Sequence, residues 1–176
     1  MQFLLSACEI VFLEAPRDSQ VNGLIRELDG ITPKVHETAF ISEAAYVVGD
    51  VVIGEGSSIW PGSVLRGDTG RITVGKFTCI QDNSVVHGDE DMEIGDYTVI
   101  AHRVVCHATR VGRRVLVANG AILNNGCQIG DDSVVASGAV VPDNKKIPAR
   151  SLVVGLPGRV VREVSQRHLD LVRRLV

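Results

Sequence analysis

Cation excess is missing from this chain of 176 residues: 18 Lys and Arg stand against 21 Asp and Glu, for a formal net charge of −3. That balance gives no electrostatic pull toward nucleic acid or an anionic membrane surface, so neither is expected as a partner. No apolar run approaches the ~20 residues of a membrane-spanning helix. The four cysteines, Cys8, Cys79, Cys106 and Cys127, include no CxxC pair, which indicates neither a disulfide framework nor a thiolate metal knuckle. Reduced, mostly buried thiols in the cytoplasm are the expectation. Leu5-Ser6-Ala7-Cys8 has a faint likeness to a lipoprotein cleavage box, but residues 3–7 are too short for a signal core and no Lys or Arg precedes them. Aromatics are scarce as well, at 4%.

What fills the chain instead is Val (28), Ile (13) and Gly (18), a composition suited to many short strands and tight corners. The length fits one compact domain. The dominant pattern is a six-residue period. Aliphatic residues recur at Val35, Ile41, Val47, Ile53, Ile59 and Leu65, and the series resumes after three extra residues at Val74, Ile80 and Val86. Two extra residues precede Ile94, Ile100 and Cys106, and a five-residue step leads to Val111, Val117, Leu123, Ile129, Val135, Val141, Ile147 and Val153. Period six is neither helical nor the alternation of a hairpin sheet. It is the hexapeptide repeat of a parallel β-helix, in which three hexads close one triangular coil and the aliphatic residue points inward.

Sorting the residue after each inward aliphatic by face tests the repeat. The first face gives His36, Gly54, Gly75, Gly95, Gly112, Gly130 and Pro148; the third gives Val48, Arg66, His87, His107, Asn124 and Pro142. Glycine gathers on one face and polar side chains on another. The expected organisation is an extension over residues 1–22, a β-helix domain over 23–158, and one helix over 159–176 packing back along it. The break at Gly155-Leu156-Pro157-Gly158 and the near-helical spacing of Val161, Val164, His168, Val172 and Leu175 carry the last assignment.

Three of the five histidines form a geometric set. His87 and His107 hold the same hexad position on the same face, one coil apart, so their rings should stack about one strand spacing from each other. His102 lies on the preceding face, near the corner leading to His107. Two imidazoles are too few for a catalytic zinc site, which takes three protein ligands. Three chains around a threefold axis would let His102 of one meet His87 and His107 of its neighbour. His36 and His168 are read as bystanders, Asn124 as a turn former, and Asp89-Glu90-Asp91 as a solvated loop.

The stretches Val64-Leu65-Arg66-Gly67-Asp68, Ile80-Gln81-Asp82-Asn83-Ser84-Val85-Val86-His87 and Ile100-Ala101-His102-Arg103-Val104-Val105-Cys106-His107 together resemble the γ-class carbonic anhydrase family. The resemblance implies an all-β fold, a left-handed parallel β-helix with a C-terminal helix, assembled as a homotrimer. It implies zinc, or alternatively iron or cobalt, held by His87 and His107 of one chain and His102 of the next, and hydration of carbon dioxide to bicarbonate. Gln81 would then contact the water or substrate oxygen, Arg66 and Asp82 would pair across the interface, and Asp68 would hold Arg66 or a turn. Thr69 departs from the family pattern, standing where the best-studied active members carry Glu, and Asn119 stands where Met is frequent. Two other functions remain open: an acyltransferase of the hexapeptide group using one His as base, and a metal-binding trimeric scaffold without hydration activity.

Overall fold

The structure is a computed structural model and describes residues 24–175. The extension over residues 1–22, and Cys8 within it, lie outside the described residues. The chain winds as a left-handed parallel β-helix of about 7 turns, closed by one C-terminal helix. Most strands are two residues long, one per hexad, as the period requires. The strand registers reproduce the three-face rotation. Ile53, Val74, Ile94, Val111, Ile129 and Ile147 align down one face. Ile59, Ile80, Ile100, Val117, Val135 and Val153 align down the second. Val47, Leu65, Val86, Cys106, Leu123 and Val141 align down the third. From Val47 onward none of these inward side chains is more than 4% exposed, and they form one continuous apolar column.

Two features hold neighbouring coils at this close spacing. On the glycine face the backbones nearly touch: a Cβ at Gly112 would lie 2.7 Å from the Asp131 amide nitrogen, and one at Gly95 2.8 Å from that of Arg113. Asp96 and Asp131 reach back from these corners and accept from the amides of Lys76 and Arg113 at 2.8 and 3.1 Å. Buried hydroxyls bridge the same corner, each three residues after a glycine. Thr98 donates to the Gly112 carbonyl at 2.7 Å and accepts from the amide of Val115 at 3.1 Å, while Ser57, Thr78 and Ser133 make the same kind of bridge elsewhere in the column. Among the described residues no buried side-chain polar atom lacks a partner. Cys79, Cys106 and Cys127 are free and buried, and burial pushes the Cys106 and Cys127 thiols up to about 12.

The chain's end differs from the expectation of a single helix over 159–176. Arg159–Glu163 form a strand that runs antiparallel to Ser151–Val154, and the helix spans only Gln166–Leu175. The Gly155–Gly158 turn reverses the chain, and the paired β-branched Val160 and Val161 favour a strand over a helical turn. Ser165 sets the helix start, because its amide donates to His168 Nδ1 at 3.1 Å in the manner of a capping box. His168 therefore has a structural role. The helix lays Val172, Leu169 and Leu175 on the outward side of the second face, against Val99, Leu116, Val134 and Leu152. No helix among the described residues is long and apolar enough to cross a membrane.

Replacing Thr98 with valine should destabilise the fold although it adds apolar surface. The change keeps the shape but leaves the Gly112 carbonyl and the Val115 amide short of a buried partner, costing about 2 kcal/mol. Thermal denaturation of Thr98→Val should show a midpoint about 4–8 °C lower; an unchanged midpoint would contradict the bridging role.

Candidate metal centre

Val85–Val86 and Val105–Cys106 pair in register, with Val86 opposite Cys106. The residues that follow them, His87 and His107, are carried outward one above the other. Their amides continue the coil-to-coil ladder, donating to the carbonyls of Cys106 and Leu123 at 3.1 and 2.9 Å. The ring centroids lie 5.1 Å apart at an interplanar angle of 60°. His87 Nδ1 and His107 Nε2 face each other at 3.1 Å.

The outer nitrogens of the two rings decide what those inner nitrogens are. His87 Nε2 donates to Asp68 Oδ1 at 2.9 Å, since an ionised carboxylate only accepts. His107 Nδ1 donates to Asn125 Oδ1 at 3.2 Å. A neutral imidazole carries one N–H, so the facing nitrogens are both bare lone pairs. Two lone pairs at 3.1 Å repel unless a cation or a shared proton sits between them. Zinc held tetrahedrally at about 2.0–2.1 Å separates its nitrogen ligands by roughly 3.3 Å, so the donor set fits a divalent cation.

His102 obeys the same rule on a different face. Its Nδ1 donates to Asp82 Oδ2 at 3.0 Å, and its side chain is 50% exposed against 13% for His87. It opens on a cleft of about 280 Å³ lined also by Gln81, Ala101, Asn119, Ser137 and Leu175. Within one chain His102 does not join the histidine pair. Among the described residues, the donors whose ligand atoms lie within 4.8 Å of one another are His87, Asp89 and His107. Arg66 pairs with Asp68 in the same chain, and Asp82 with His102. Sequence reasoning missed Asn125 and set Asp89 aside as solvated. The nearest signal for Asn125 was its spacing, 18 residues, or one coil, after His107.

The comparisons with known proteins bear on this site. A family model described as bacterial transferase hexapeptide, six repeats, matches residues 32–67 and 108–143. The carnitine operon protein CaiE of Escherichia coli is 38% identical over 143 residues, covering 80% of this chain and 73% of that protein. The mitochondrial gamma carbonic anhydrase 1 of Arabidopsis thaliana is 38% identical over 148 residues, covering 80% of this chain and 54% of that one. The chain belongs to the γ-carbonic-anhydrase-like family of hexapeptide-repeat proteins. Among solved structures, a hexapeptide transferase family protein from Anaplasma phagocytophilum superimposes with a TM-score of 0.83 at 33% identity, over 87% of this chain and 92% of that one.

Within this γ-carbonic-anhydrase-like chain, Asp68 links the arginine of the RGD stretch to the histidine pair. Partial burial raises its carboxyl, but its own backbone amide, the His87 bond and the Arg66 charge outweigh that and hold it below its usual range. A depressed carboxyl contributes stability that is present above its unfolded value and lost as pH falls through the folded one. Carboxyl-carbon NMR titration should place the Asp68 midpoint below the ordinary ~3.9, and Arg66→Ala should move it up. A midpoint at or above the ordinary value would contradict the linkage.

Proposed function

We propose that this protein hydrates carbon dioxide reversibly to bicarbonate, at a divalent metal shared between protomers of a homotrimer. The observation that carries the reading is the set of three imidazoles, each with one nitrogen committed to a fixed acceptor and the other left bare. Such partners are what metal-ligating histidines require, because they fix the ring and its tautomer. His87 and His107 of one protomer and His102 of the next would hold zinc, or iron or cobalt, all of which accept imidazole. When bound, the dication supplies a water acidic enough to act as a nucleophile near neutral pH, at a pKa of ~7.

The chain's own residues do the rest. Asp68, Asn125 and Asp82 keep the rings turned. Arg66 holds the free oxygen of Asp68 and so keeps that carboxylate on His87. The Gln81 carboxamide lies in the cleft beside His102, where a neutral group can orient a water or a substrate oxygen without adding charge. Apolar Ala101 and Leu175 line the same cleft and suit an uncharged substrate. A cytoplasmic location accompanies this reading. The transferase names among the relatives favour a second reading, acyl transfer with one histidine as base. That chemistry gives no use to two facing lone pairs.

Stopped-flow hydration of carbon dioxide by the zinc-loaded protein decides the matter. The expected result is catalysis well above buffer, with Gln81→Ala lowering kcat by roughly 100-fold. A loaded protein that runs no faster than buffer from acidic to alkaline pH is not a carbonic anhydrase. Sedimentation at the mass of a single chain would remove the shared site.

A further inference from the structure

The acidic segment 88–91 is tied down on both sides of Asp89. Thr69 donates its hydroxyl to the Gly88 carbonyl at 2.7 Å, and the Arg71 amide donates to Asp91 Oδ1 at 2.9 Å. A Cβ at Gly70 would lie 2.4 Å from the Glu90 carbonyl carbon, so the two segments run in backbone contact. Asp89 sits between these anchors. Its carboxylate offers an oxygen within 4.8 Å of ring nitrogens on both His87 and His107.

We propose that His87, Asp89 and His107 form a complete one-chain site for a divalent cation, which captures the ion before a neighbouring protomer adds His102. The inference rests on the metal-centre reading above and extends it to the order of assembly. Two imidazoles and one carboxylate are a sufficient donor set, used for catalytic zinc and, with open positions, for ferrous iron. Charge favours the carboxylate as the third ligand, because it neutralises part of a dication that two neutral imidazoles leave bare. Asp68 cannot take that place: one of its oxygens accepts from His87 and the other from Arg66. Asp89 approaches the pair from the opposite anchor, the pinned 88–91 segment. Capture by one chain also places the cation at the future interface first, so that His102 of the neighbour docks onto a charge already there.

The test titrates full-length apo-protein with Co2+ and Zn2+, read by cobalt d–d absorption and by equilibrium dialysis. His102→Ala should still bind one ion per chain. Adding Asp89→Ala should weaken that binding by at least ~100-fold, and Asp89→Asn, which keeps the shape and drops the charge, should weaken it comparably. If the double variant binds as tightly as His102→Ala, the carboxylate is not a ligand and the proposal fails. If His102→Ala is as metal-free as His87→Ala, the one-chain site does not exist, although the shared interface site stands. Unchanged binding in His87→Ala overturns both.

Discussion

Coil-to-coil hydrogen bonding at one strand spacing is the constraint from which the rest follows. It makes the residues of each coil lie above their counterparts 17 to 22 positions away. In the interior that alignment builds the aliphatic column; at the first corner it forces glycine, because the next backbone lies where a Cβ would be. At that same corner it lets a single Thr98 serve the coils on both sides. On the third face it stacks His87 on His107. No separate device is needed to bring the two imidazoles together, and none is available to move them apart without breaking the ladder.

The same constraint makes the histidine pair electrostatically demanding. Stacked rings bring nitrogens together, and the acceptors on their outer sides determine that lone pairs meet in the middle. Asp68 and Asn125 therefore do more than orient. They turn an ordinary stacking contact into one whose two facing lone pairs would favour a cation between them. Asp82 does the same for His102, but on a face that turns the bare nitrogen outward. One protomer thus presents a pair and a single imidazole in different directions, which is the arrangement head-to-tail packing would join.

Much of this was legible in the residues. The hexad period gave the interior column, and the order of the three faces predicted the His87–His107 stack. It also predicted that His102 would stand apart. The unread parts share a physical cause: they depend on where chain outside the period goes. Arg159–Glu163 reads as the start of a helix because Val161 and Val164 fit helical spacing, yet the turn before it returns the chain to a sheet edge. Asp68 was expected to hold Arg66 or a turn, and its second partner, His87, depends on the course of an insertion. Thr98 is one of many threonines until its two coils are stacked.

The insertions themselves are where this chain departs from a plain repeat. Extra residues enter between Leu65 and Val74 and again between Val86 and Ile94, at the same corner of adjacent coils. The first is absorbed into one long strand, Val64–Val74, which continues through the corner beside Tyr46–Ile53 with a register shift, Gly67 lying opposite Gly49 and Ile72 opposite Val51. The second becomes the segment pinned by Thr69 and Arg71. The next passage of that corner, from Cys106 to Val111, is instead one residue short. Each lengthened passage carries an Asp to the stacked imidazole pair: Asp68 from the first, Asp89 from the second. The repeat model matches the chain on both sides of residues 68–107 and leaves out the span that holds His87, His102 and His107. Local rules give way where chemistry is placed. In this fold the regular coils fix the positions of the rings, and the irregular corner brings up the carboxylates that give those rings their charge environment.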